Sequence, residues 1–427
     1  MCNDHDHPHG VRYAPRLPFG PTNSDKVVGI DHARMLRDRQ ERMRSVMRAH
    51  GVPAILLTGA ENVRYLTGFW WSEFQRRVGY ALFFTDHPPI VFAPAGAYQQ
   101  MPDLVPGVDE WRPAISWMDS LAPASAIEMQ AARFGDQVRD ELKAHGLSAE
   151  RLAVSEIDRH GRDALSRLGI PIEDGMPLLL ESAAIKTPDE ISCLQMAASI
   201  SVTGFETVRT NLRAGTTVSA MSKLARRAIE DAGAENPATG IMSGPHGFER
   251  SPTGLDRRIE HGDLAFALTC GTSFLGYSAC LYRQFVVGRR PTGEEVSAYS
   301  QLRDRLDGAI AAMVPGNSTA DVAARLAPAE HWGYKSETEC FSVELGHGVG
   351  LVNKGSRVIH YNNPIITREW SLEHPEEIRE GMVIAIEGIE GEHRQWGVRL
   401  ENMVLVGPDG PRLLDAYPRD EILVAGL

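Results

Sequence analysis

Gly346-His347-Gly348-Val349-Gly350 is followed by Gly381-Met382-Val383-Ile384-Ala385-Ile386-Glu387 and then by Val398-Arg399-Leu400-Glu401-Asn402. The first stretch sets a histidine among glycines. The other two are apolar strands that each carry one glutamate. A lone carboxylate in a buried strand is costly to desolvate, and clustered titratable groups mark functional sites. His347, Glu387 and Glu401 are therefore the candidate catalytic residues. His347 can take and return a proton near neutral pH. The glutamates can hold a cationic group, one can act as an acid, or one can attack as a nucleophile with His347 as partner.

Upstream, Gly262 to Gly271 and Gly276 to Arg283 read as two further paired strands. Thr187-Pro188-Asp189-Glu190 opens a long helix, because Thr187 can cap it, Pro188 suits its first position and Glu190 completes a capping box. That helix is predicted to reach Leu212, with a second over Ser219 to Ala232. Two more helices, near Glu294 to Met313 and Thr319 to Ala327, lead into the strands of Glu387 and Glu401. The order helix, helix, strand, strand thus occurs twice, which predicts two similar halves around one curved antiparallel sheet.

The N-terminal half differs. Residues 1–30 are Pro- and Gly-rich and read as an irregular arm. A helix near Met35 to His50 ends at Gly51, and strands at Val52 to Leu57, Tyr80 to Phe84 and Ile90 to Ala93 follow. The expected organisation is a smaller α/β domain over 31–180 and a second domain over 181–427, an α+β protein overall. A net charge of -12 argues against a nucleic-acid or anionic-membrane partner. The polar, acidic start is unlike a signal peptide, so a cytoplasmic location is expected. The five cysteines show no CxxC spacing and fit a reducing compartment without a disulfide framework. His5, His7 and His9 fit a plain terminal tail.

These motifs, in this order, resemble the pita-bread aminopeptidase and creatinase family over essentially the whole chain. The resemblance implies a C-terminal pita-bread fold. Metal-dependent members hold two divalent ions with two Asp, one His and two Glu. With Arg283 aligned on the family's Arg, the two Asp positions fall on Thr269 and Cys280. Hard divalent ions need anionic oxygen donors, so the dinuclear site is expected to be lost and no cofactor is expected. A mononuclear remnant of Cys280, His347, Glu387 and Glu401 is the alternative, since Cys and His suit zinc.

The metal-independent, creatinase-like branch then becomes the closer resemblance. It implies that His347 and Glu387 are pocket residues. Phe74 with Arg76 or Arg77 would reach a neighbouring subunit's site and grip a substrate carboxylate, although both arginines equally suit a solvated loop. Tyr282 stands where creatinase has a second guanidinium-gripping Glu. The family's catalytic His falls near Arg250, with His246 and Glu249 close enough to substitute. Thr269, Cys280, Tyr282 and Arg250 are further candidate substrate contacts. Arg283 suits a scaffold role. The expected function is metal-independent hydrolysis of a C–N bond in a small zwitterion other than creatine, by a homodimer with its site near the subunit interface. The alternatives are a metal-dependent Xaa-Pro peptidase-like enzyme or a dimethylsulfoniopropionate-type lyase with altered ligands, and a non-catalytic binding protein.

Overall fold

The computed structural model describes residues 29–70, 79–94, 105, 107–117, 122–235, 237–248, 257–340, 343–352, 361–393 and 395–427, apart from the side chains of His246 and Tyr361. Phe74, Arg76, Arg77, Glu249, Arg250 and residues 1–28 of the expected arm lie outside the described residues.

The first helix, His32–His50, begins where the Asp31 carboxylate accepts the Arg34 N–H and ends at Gly51, whose φ of 63° suits a residue without Cβ. Met35, Met43 and Met47 form its buried face. They pack toward a six-stranded mixed sheet. Its strand order is Glu110–Pro113, Ile90–Ala93, Tyr80–Phe84, Ala54–Thr58, Leu152–Val154 and Ile172–Asp174. The middle three strands pair antiparallel and the outer contacts are parallel.

Thr187, Pro188 and Glu190 start the Pro188–Asn211 helix with the capping box anticipated from sequence. Beyond it lies a nine-stranded sheet. Along its main path run Tyr361–Ile366, Leu345–Val349, Val383–Glu392, Trp396–Gly407, Tyr282–Val287, Leu264–Leu268 and Gly240–Ser243. All these pairs are antiparallel; only Leu423–Ala425 joins in parallel, on Tyr282–Val287.

Two helix pairs cover the two halves. Phe205 and Val208 of the first pair, with Ile229, pack on Ala265, Ala267 and Phe285. Leu302, Leu306 and Val322 of the second pack on Ile384, Ile386, Leu400 and Val404. Each of the Phe, Val, Ile and Leu side chains contributes roughly 2 kcal/mol by leaving water. The halves meet where Tyr282 pairs with Glu401. The expected α+β, pita-bread architecture is therefore the observed one.

Polar contacts tie the N-terminal helices to the C-terminal half. Arg39 donates to the Tyr277 hydroxyl, which donates to Glu190, both at 2.8 Å. Arg64 grips Glu235 with two bonds of 2.9 and 3.0 Å. Tyr277 belongs to the hairpin that carries Cys280, so this link reaches the candidate site. Among the described residues, no helix is long and apolar enough to cross a membrane.

Candidate functional site

Strand register places the three candidate catalytic residues on one face. Glu387 lies directly opposite Glu401, and Leu345 directly opposite Glu387. His347, two residues along from Leu345, therefore points the same way. Tyr282, opposite Glu401, joins this row from the other half. All four are buried. The glycines around His347 have a steric cause. A Cβ on Gly348 would come within 2.3 Å of the Asn363 carbonyl oxygen, because the neighbouring strand shifts register at that point.

His347 has a defined orientation. Its Nδ1 lies 3.0 Å from the Gly348 carbonyl oxygen, which can only accept, so Nδ1 carries the proton. Its Nε2 then faces Glu401 Oε1 at 3.8 Å. The backbone of Glu401 is held in turn. Arg283 donates from Nη1 to the carbonyls of Tyr282 and Glu401, both at 2.8 Å, and pairs with buried Asp415 through Nη2. Arg283 is thus a scaffold residue, as its sequence context indicated.

Thr269 lies beside this face and is turned away from it. Its hydroxyl donates to the Leu281 carbonyl at 3.4 Å. Its methyl sits where a Cβ on Gly204 of the Pro188–Asn211 helix would be in contact, at 3.4 Å. The residue that reaches Glu401 is its neighbour Cys270, with Sγ 3.5 Å from Oε2.

Cys270 and Cys280 are joined as a disulfide. This corrects the expectation of a chain without disulfides. The cause is local. Leu275 and Gly276, both at positive φ, turn the hairpin between Thr272–Phe274 and Tyr277–Ala279. Gly271, with φ 88°, inserts a bulge below it. The two cysteines end face to face, with Cα atoms 3.9 Å apart. Two cysteines placed about evenly around Leu275-Gly276 were the available sequence signal, and it was missed.

His246 sits in the short turn Gly244–Gly247. Arg399, on the same face as Glu401, donates to the carbonyls of Gly247 at 3.2 Å and Phe248 at 2.6 Å. The turn is thereby fastened beside the site. Arg399 lay in the motif read from sequence, but its anchoring role was not visible there. The other anion-gripping candidates, Phe74, Arg76, Arg77, Glu249 and Arg250, fall outside the described residues.

The donors present do not fit a pair of hard divalent ions. Such ions need anionic oxygen donors, and the family resemblance assigns two of them to the positions of Thr269 and Cys280. One is a hydroxyl bonded to backbone and the other a sulfur. Among the described residues, the cluster with metal-ligand spacing is Cys270, Cys280 and Glu401, whose ligand atoms all lie within 4.8 Å of one another.

Comparison with known proteins places the chain. It is 25% identical, over 96% of its length and 92% of the relative's, to the dimethylsulfoniopropionate lyase DddP of Roseobacter denitrificans. It is 34% identical to the Xaa-Pro dipeptidase of Pyrococcus horikoshii over 44% of this chain and 50% of that one. Among solved structures, the Xaa-Pro dipeptidase of Bacillus anthracis superposes with a TM-score of 0.72 at 20% identity, covering 91% of this chain and 99% of the other. Residues 39–159 match the creatinase/prolidase N-terminal domain, and residues 192–408 match the metallopeptidase family M24. The chain belongs to the metallopeptidase family M24.

Proposed function

We propose that this chain is an enzyme of the family that cleaves a small zwitterion by proton transfer at His347, Glu387 and Glu401, without a pair of hard divalent ions. The observation that carries this is the buried approach of His347 Nε2 to Glu401 Oε1 at 3.8 Å, beside a threonine hydroxyl and a disulfide sulfur at the two positions aligned with metal-binding carboxylates. With Nδ1 fixed as donor, Nε2 is the atom that accepts a proton from substrate or water. The facing carboxylates of Glu387 and Glu401 favour a cationic substrate end and stabilise the imidazolium formed. The anion grip for the other end is assigned to the segment of Phe74, Arg76 and Arg77, supplied across a homodimer interface.

The relatives named above are dipeptidases and a dimethylsulfoniopropionate lyase. A dipeptide and a sulfonio-carboxylate are both zwitterions, so these substrates take precedence over the guanidino and cyclic amide compounds expected from the missing carboxylates. The creatinase-type C–N hydrolysis becomes the second choice. Of the two preferred classes, dipeptides are favoured by the dipeptidase relatives and dimethylsulfoniopropionate by the lyase relative.

The deciding assay offers Xaa-Pro dipeptides, dimethylsulfoniopropionate and guanidino acids to chelator-treated protein. Turnover of one class that persists in chelator and disappears in His347→Gln is expected. Turnover appearing only with two equivalents of manganese or cobalt would sink the proposal.

A further inference from the structure

We propose that Cys270, Cys280 and Glu401 form a binding site for one soft divalent cation, with zinc preferred, which opens when the Cys270–Cys280 disulfide is reduced. The donor set is two sulfurs and one carboxylate oxygen, all buried. Soft thiolates select zinc over magnesium, calcium or manganese. A tetrahedral zinc with ligands at about 2.0–2.3 Å sets its donors about 3.3–3.8 Å apart. Cys270 Sγ already lies 3.5 Å from Glu401 Oε2. Cys280 Sγ lies within 4.8 Å of the Glu401 carboxylate in the same cluster, and cleavage of the S–S bond frees both sulfurs to adjust to that spacing.

The three donors are held from behind. Cys270 and Cys280 face each other across a hairpin whose tip is tied to Arg39 and Glu190 through Tyr277. Glu401 is fixed by the Arg283 bond to its backbone. Its second oxygen, Oε1, faces His347, so the carboxylate spans a sulfur pair on one side and an imidazole on the other. His347 is a positioning residue for this site, orienting the ligand carboxylate. Three protein donors leave the fourth zinc position for water or substrate.

The switch balances simply. A phosphine reductant attacks one sulfur, the S–S bond breaks, and with one water the products are two thiols and the phosphine oxide. Binding of the dication then displaces both thiol protons to solvent. Re-oxidation to the disulfide needs a two-electron acceptor such as a second disulfide, which is itself reduced to thiols.

The test uses the full chain, with zinc alone as probe and a chromophoric chelator as competitor. Phosphine-reduced protein is expected to take up one zinc per chain, and the disulfide form none. Cys270→Ser and Cys280→Ser, checked for folding by circular dichroism, are each expected to weaken binding about 100-fold or more, beyond the 10- to 100-fold expected for His347→Gln as an outer partner. Cobalt substitution of the unaltered reduced protein is expected to give a thiolate charge-transfer band, which needs no variant. The proposal is overturned if reduced protein takes up no zinc, if oxidised protein binds it equally, or if cobalt gives no thiolate band. These readouts are metal content and spectra, so they stand or fall apart from the acid–base function proposed above.

Discussion

Arg283 Nη1 donates to the backbone carbonyl of Glu401 at 2.8 Å, from a guanidinium that is itself fully buried and paired with Asp415. A structural arginine thus sets the position of a candidate catalytic carboxylate. Replacing it with methionine strands the Asp415 charge. The expected loss is about 3–5 kcal/mol of stability, the usual cost of breaking a buried pair from one side. Denaturant unfolding checks it. Arg283→Met with Asp415→Leu should recover part of the loss, because both charges are then gone.

His347→Gln should keep the fold and lower turnover by about 100- to 10,000-fold, the range for a lost general base. Glu401→Gln should act similarly, since the same pair is broken. Turnover measured beside thermal unfolding separates chemistry from stability. An unaffected rate in both variants would remove these residues from the reaction.

Arg399→Met should free the Gly244–Gly247 turn that carries His246, because both carbonyl bonds to it are lost. KM is expected to rise while the nine-stranded sheet persists. Steady-state kinetics compared with circular dichroism reads the split.

Lys186 gives a pH prediction. It is buried, and desolvation, reinforced by Arg42 and opposed by Glu190, lowers its pKa to about 7. In the unfolded chain the amine titrates near 10.5, so between these values the unfolded state binds more protons. Stability attributable to Lys186 therefore rises with pH from about 7 to about 10.5 and is flat below. At about 1.4 kcal/mol per pH unit, the gain from pH 7 to 9 is about 2–3 kcal/mol. Cys193 and Cys340, pushed up to about 12 by burial, act oppositely above their ordinary range. The informative quantity is the difference between the wild type and Lys186→Met, which should lose this slope. Unfolding free energies across the pH range test it.

Much of the fold was legible because it is written locally. The capping box of Thr187 and Glu190 and the apolar runs around Glu387 and Glu401 each fix an element from a few adjacent residues. The missing carboxylates were legible only through the family resemblance, with Arg283 as the point of alignment. What escaped depends on geometry between distant residues. The bulge at Gly271 brings Cys270 rather than Thr269 to Glu401, and no periodicity announces a bulge of one residue. The scaffold character of Arg283 was legible, but the distant carbonyls that Arg283 and Arg399 hold were not, because they lie more than a hundred residues away, where sequence spacing carries no information.

Among the described residues, Tyr282 and Glu401 are the single registered pair between the strands of the two halves. The sheet therefore has a seam one residue wide, and a carboxylate of the site sits on it. Any repacking of either helix layer that tilts one half against the other is delivered to Glu401 first. The chemistry proposed for Glu401 would thereby be mechanically coupled to cores that never touch a substrate.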